Sequence, residues 1–179
     1  MKKLYCDKET FSPVPLKHGT HRYAESAEVM LFTWAADDGP ARCWDLTTGA
    51  RMPDELEDGL LDERVLTVWA NGGMFDRVVM RYAMPDLYAK IPIHRWYDTM
   101  VQALAHSLPG SLEKLCEIFK VADEDKKLAT GRQLIQLFCV PPAKNLKRPR
   151  ATRITHPDQW EQFKLYAIQD IPSMRAVHK

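Results

Sequence analysis

Apolar and polar positions divide the chain into an earlier part that reads as strands and a later part that reads as helices. Lys2 to Cys6 has the pattern of a short strand ending at an acidic cluster. Glu28 to Ala35 (EVMLFTWA) is a run of apolar and aromatic residues and predicts a buried strand. Asp37-Asp38-Gly39-Pro40 is turn chemistry, and Arg42 to Leu46 then returns as the next strand of a hairpin. Pro53 to Asp62 predicts a short helix with proline near its first turn. Val65 to Ala70 (VLTVWA) is another strand, cut off by Gly72-Gly73.

From Phe75 the spacing turns helical, with Val78, Val79, Tyr82 and Ala83 on one face before Pro85. Arg95 to Asp98 predicts a short strand, and Thr99 to Ser107 a helix that Pro109-Gly110 ends. Ser111 is a good N-cap for a helix whose stripe is Leu112, Leu115, Ile118 and Phe119. Gly131 to Cys139 is a further helix, stopped by Pro141-Pro142, and residues 143–154 are irregular and basic. Thr155 with Asp158 resembles a capping box with Pro157 in the first turn. Trp160, Phe163, Tyr166 and Ala167 then mark a helix running to about Asp170. Strands first and helices later, with some alternation, predict an α/β layered domain around a mixed sheet.

Composition narrows the function. The 179 residues correspond to one domain, 1–179, with 45% hydrophobic and 27% charged residues. A net charge of +1 excludes a strongly basic histone-like binder and an acidic disordered tail, but not a local basic stripe. No apolar run approaches the ~20 residues of a membrane span, and the N-terminus meets Asp7 before any apolar core of a signal peptide. A cytoplasmic protein without membrane contact is expected. Cys6, Cys43, Cys116 and Cys139 form no CxxC pair, which predicts reduced, mostly buried thiols. The scattered histidines predict no histidine-based metal site.

Three elements carry candidate chemistry. Asp7 and Glu9 are two apart, so in a strand both carboxylates point to one face. Two such carboxylates repel unless a cation lies between them, and oxygen ligands suit Mg²⁺ or Mn²⁺. The bland alternative is a solvated strand end. Residues 65 to 76 run from a buried strand through a glycine turn to Phe75-Asp76, which places Asp76 at the carboxyl edge of a sheet, where open α/β sheets build their sites. A plain helix cap is the alternative for Asp76. Tyr166 and Asp170 are four apart on one helix face, with Tyr166 as a core aromatic for its alternative.

Together, Asp7-x-Glu9-Thr10, then Phe75-Asp76-Arg77, then Tyr166-x-x-x-Asp170 resemble the three motifs of DEDD 3′–5′ exonucleases, and the tyrosine places them in the DEDDy, DnaQ-like branch. Trp96 through Leu115, Lys127 and the helix from Gly131 to Cys139 resemble the proofreading domain of phage-type family A DNA polymerases. The resemblance implies a ribonuclease H-like fold, a mixed sheet flanked by helices, and two Mg²⁺ or Mn²⁺ ions. It implies that Asp7 bridges both ions, Glu9 and Asp170 complete the first site, Asp76 holds the second through water, and Tyr166 orients the attacking water. It also implies nucleic-acid contacts from Thr10, Asn71 and Phe75. One departure stands out: the family has Asn four before the second-motif Asp, where this chain has Gly72, with Asn71 one residue further back.

The expected activity is removal of nucleoside 5′-monophosphates from single-stranded or frayed DNA 3′ ends. The alternatives are an RNA-processing DEDD nuclease and an inactive domain that only binds nucleic acid or partners. Lys144, Lys147, Arg148, Arg150 and Arg153 read either as a solvated loop or as an arm contacting single-stranded DNA, with Lys147, Arg148 and Arg150 as candidate phosphate contacts. Asp54-Glu55, Glu57-Asp58, Asp62-Glu63 and Asp123-Glu124-Asp125 read as solvated faces, and Asp98 as a cap for the Thr99 helix. The chain ends soon after the third motif, so a stand-alone nuclease and a domain cut from a longer polymerase are both expected, with a polymerase domain as partner in cis or in trans.

Overall fold

A computed structural model describes residues 1–121, 131–143 and 149–179. Five strands form one mixed sheet in the order β3-β2-β1-β4-β5: β1 Lys3–Phe11, β2 Glu28–Ala36, β3 Arg42–Asp45, β4 Leu66–Trp69 and β5 Trp96–Asp98. β1 is antiparallel to β2 and parallel to β4; β2–β3 is antiparallel and β4–β5 parallel. The helices are α1 Thr20–Ala24, α2 Asp54–Leu61, α3 Arg77–Ala83, α4 Pro85–Tyr88, α5 Thr99–Ala105, α6 Leu112–Ile118, α7 Gly131–Phe138 and α8 Pro157–His178. This is the α/β fold the order of elements predicted. None of the four cysteines is in a disulfide. Among the described residues no helix is long and apolar enough to cross a membrane.

β1 is the central strand, and its two edges are paired over different lengths. β4 accompanies it only from Lys3 to Cys6, whereas β2 follows it to Phe11. The strand therefore does not stop at the acidic cluster, as the sequence pattern suggested. It carries Asp7 and Glu9 within its length, held by β2 alone, beyond the end of β4. A register shift between Glu9 and Thr10 marks the bend. Side chains alternate across the sheet. Tyr5 packs with Ile171 and Met174 of α8 on one face, while Leu4 and Cys6 join Phe32, Trp69, Leu56 and Leu60 on the other.

α8 is longer than its pattern predicted. Pro172 lies inside it and removes one helix N–H. The helix continues to His178, and Ser173 Oγ donates to the Gln169 carbonyl at 3.0 Å. Ile171 and Met174 are fully buried, and burying each such side chain yields about 1.5–3 kcal/mol, enough to carry the helix past one lost bond. The N-terminus also differs. His156 is the N-cap, Pro157 opens the first turn, and Thr155 hydrogen-bonds Thr152 instead of forming a capping box. In α6 the expected apolar stripe is buried only at Leu115, since Ile118 and Phe119 are half exposed. Ser111 caps that helix as expected, accepting from Lys114 N.

One buried cation ties the sheet's far side together. Arg95 is 2% exposed and donates to three main-chain carbonyls: Val65 at 2.7 Å, Leu60 at 2.7 Å and Gly59 at 2.9 Å. It thereby fastens the end of α2 and the approach to β4 to the residues entering β5. Nothing in the pattern of the sequence marked it. Arg95→Met keeps the apolar stem but strands these carbonyls, so we expect about 2–4 kcal/mol less stability in urea unfolding. A variant within about 0.5 kcal/mol of the parent would mean that the clamp carries no weight.

Candidate metal centre

Asp7 and Glu9 of β1 meet Asp170 of α8. Each offers a carboxylate oxygen, and these oxygens lie within 4.8 Å of one another. Glu9 and Asp170 are buried and Asp7 is partly so. The strand supplies two carboxylates on one face by its alternation. α8 supplies the third because Ile171 and Met174 press it onto Tyr5, the residue preceding this pair on the same face. Three hard oxygen donors at this spacing fit one divalent ion of the Mg²⁺ or Mn²⁺ type. The Cys139 thiol donates to Glu9 Oε2 at 3.6 Å; burial first, then the Glu9 charge, holds it well above the usual thiol range, so it stays neutral.

The sequence expectation brought four carboxylates together; those whose oxygens lie within 4.8 Å of one another are Asp7, Glu9 and Asp170, and Asp76 lies against Lys8. Lys8 Nζ is 3.2 Å from Asp76 Oδ1, with side-chain exposures of 0% and 4%. The reason is the strand's alternation: Lys8, between Asp7 and Glu9, points to the opposite face. There its ammonium sits 4.0 Å from the Trp69 ring centroid and 5.5 Å from that of Phe32. Burial lowers the Lys8 pKa and raises that of Asp76, and their mutual attraction opposes both shifts. Asp76 makes no helix cap. Lys8 was missed because a lysine between two acids reads as strand-end solvation.

The turn that delivers Asp76 explains the departure in the second motif. Gly72-Gly73 does not break the chain but opens a π-helical turn, Gly72–Asp76, in which Phe75 N and Asp76 N both donate to the Asn71 carbonyl, at 3.1 and 3.4 Å. A Cβ on Gly72 would lie 2.5 Å from Trp69 Cβ, so an asparagine cannot stand there without moving Trp69. Asn71 is exposed. Asp98 does cap α5, accepting from Met100 N at 2.8 Å, and its other oxygen accepts from Gly73 N at 2.7 Å. One carboxylate thus fixes both α5 and the turn bearing Asp76.

Tyr166 lies one helical turn before Asp170, fully buried, and stacks on Phe163 with ring centroids 6.4 Å apart. Thr10 and Phe75 line one groove of about 250 Å³ with Lys8, Glu9 and Cys139. Thr10 Oγ1 and the Tyr23 hydroxyl are hydrogen-bonded at 2.7 Å. The Arg150 guanidinium pairs with Glu28 and stacks 3.5 Å over Phe11. Arg153 donates to the Thr47 carbonyl. Lys144, Lys147, Arg148, Lys127 and Asp123-Glu124-Asp125 lie outside the described residues. Glu55, Glu57 and Asp62 make surface ion pairs with arginines, as solvated acids do.

The sheet order and the carboxylates from its central strand and last helix define a ribonuclease H-like fold, with the acidic motifs of DnaQ-like exonucleases. The chain is 35% identical over 185 residues to a DNA polymerase of Bacillus phage SP02, a match that covers 99% of this chain and 27% of that relative. Its fold is similar to the apo form of a nuclease (12% identity, 99% of this chain and 70% of that chain, TM-score 0.58). It is also similar to Brucella melitensis NrnC with bound Mg²⁺ (13% identity, 98% of this chain and 71% of that chain, TM-score 0.52). No family model matches. The polymerase match bears out the resemblance to DnaQ-like exonucleases, and the solved structures bear out the fold.

Gly131, at the start of α7, sets the place of the Tyr166 ring. A Cβ there would lie 2.0 Å from Tyr166 Cε2. Gly131→Ala gains up to about 1 kcal/mol of helix propensity but overpacks a rigid ring at a cost of about 1–3 kcal/mol. We expect a net loss in urea unfolding, and no such loss when Gly131→Ala is added to Tyr166→Leu. A Gly131→Ala chain as stable as the parent in both backgrounds would show that the ring is not held there.

Proposed function

We propose that the chain is a divalent-metal-dependent 3′–5′ exonuclease domain that acts on single-stranded or frayed DNA 3′ ends. The reading rests on one juxtaposition: the Asp7, Glu9 and Asp170 carboxylates in one cluster, with Tyr166 one turn from Asp170 on the same helix. The match to part of a phage DNA polymerase supports DNA as the substrate and proofreading in replication as the setting, with a polymerase domain as partner in cis or in trans. An ion held by the three carboxylates supplies Lewis acidity that makes water a nucleophile near neutral pH.

Water oxygen attacks the terminal phosphorus, and the bond from phosphorus to the 3′ oxygen of the penultimate nucleotide breaks. That oxygen takes a proton and becomes the new 3′ hydroxyl, and a nucleoside 5′-monophosphate leaves. Tyr166 orients the attacking water through its hydroxyl. Thr10 and Phe75, in the groove beside Glu9, receive the last nucleotide, and Asn71 meets the strand from the exposed end of β4. Lys147, Arg148 and Arg150 stand as phosphate contacts, Arg150 from its place beside Glu28 and Phe11.

Digestion of 5′-labelled DNA and RNA oligonucleotides of matched sequence tests the reading. With Mg²⁺ we expect a ladder shortening from the 3′ end, faster on DNA, and none in EDTA. A faster ladder on RNA would make the chain an exoribonuclease. Full activity in EDTA, or none on either substrate, would overturn the proposal. Asp7→Ala is expected to lower kcat by more than the tenfold that corresponds to about 1.4 kcal/mol of barrier. Tyr166→Phe is expected to lower kcat with DNA affinity nearly unchanged, as for a contact made in the transition state. Lower affinity at constant kcat would make Tyr166 a packing or binding residue.

A further inference from the structure

We propose that Lys8 is the resident cation for Asp76 and that the chain therefore binds a single divalent ion, between Asp7, Glu9 and Asp170. The inference rests on the metal-dependent reading above and departs from the two-ion arrangement that the motifs imply. Asp76 is the residue a second ion would need. Its carboxylate is 4% exposed and 3.2 Å from an ammonium that is itself 0% exposed. An ion that drew Asp76 away would leave Lys8 charged, buried and without its counter-charge. An ion that joined the pair in place would meet a positive charge at hydrogen-bond range. Both outcomes are costly in a site closed to water.

The surroundings hold this arrangement from several sides. The Lys8 ammonium faces the Trp69 ring at 4.0 Å, and Trp69 is stacked on Trp96 at 4.8 Å, so the cation sits against a rigid aromatic wall. The turn carrying Asp76 is pinned by Gly73 N donating to Asp98 at 2.7 Å and by the lack of room at Gly72 beside Trp69. Alternation sends Lys8 to one face of β1, where the Gly72–Asp76 turn places Asp76, and sends Asp7 and Glu9 to the other. The cation and the ion-binding carboxylates are neighbours in sequence whose side chains leave the strand in opposite directions.

The test counts ions directly. Mn²⁺ binding to the parent chain is measured by electron paramagnetic resonance of the free ion, with and without a nucleoside 5′-monophosphate. We expect one Mn²⁺ per chain in both conditions. Asp7→Asn, which alters a direct ligand, should weaken it by more than the ~10-fold lower bound for losing an outer partner of a metal ligand. The double variant Lys8→Met, Asp76→Asn removes both buried charges together and should still bind one Mn²⁺, with affinity within ~3-fold of the parent. Two ions in the parent, falling to one in the double variant, would overturn the inference and leave the exonuclease reading standing. No Mn²⁺ bound in any condition would overturn both. If the double variant does not fold, the parent count alone decides.

Discussion

The alternation of side chains along β1 is the constraint from which the rest of the site follows. Asp7, Lys8 and Glu9 are consecutive, yet a strand can present only every second residue to one face. The two acids go to the side of α8, and the lysine goes to the side of Trp69 and Asp76. Opposite charges that would neutralise one another on a flexible loop are thereby held apart. The carboxylates gather on one side of the strand, and the ammonium pairs with a different acid on the other. The pairing of β1 makes this position available. Because β4 stops opposite Cys6, the strand passes beyond it with one edge unpaired by the sheet.

The other constraint is that α8 must arrive in register. Asp170 reaches the strand only because residues on both sides of it are anchored: Phe163 and Tyr166 in the cluster around Phe138, and Ile171 and Met174 in the cluster around Tyr5. That is why the helix tolerates Pro172, since burial on both sides outweighs one missing main-chain bond. Gly131 belongs to the same logic, because α7 lies against the Tyr166 ring only where a side chain is absent. Asp98 plays the corresponding part on the Asp76 side, where one carboxylate serves a helix start and a turn.

Local chemistry was legible in the sequence and partner choice was not. The strands announced themselves through apolar runs such as EVMLFTWA and VLTVWA, and the spacing of Asp7 with Glu9 and of Tyr166 with Asp170 put each pair on one face. Asp98 as a cap was legible because Asp before Thr99 has a local partner in Met100 N. What could not be read depended on residues far apart. The ion pair of Lys8 with Asp76 spans 68 positions, and the Arg95 clamp closes on carbonyls 30 to 36 positions away. Gly72 looked like a defect in a motif; its reason is Trp69, three residues back, whose ring direction only the fold determines. Arg150 read as one of a run of cations, and its contacts with the sequence-distant Glu28 and Phe11 could not be read from that run.

The central claim is that the carboxylates of β1 and α8 form an ion site from which Asp76 is withheld. A crystal grown with Mn²⁺, with diffraction recorded at the manganese absorption edge, tests it most directly. The account predicts one anomalous peak, about 2.1 Å from oxygens of Asp7, Glu9 and Asp170, with Asp76 still against Lys8. A second peak liganded by Asp76, with the Lys8 side chain displaced, would contradict it.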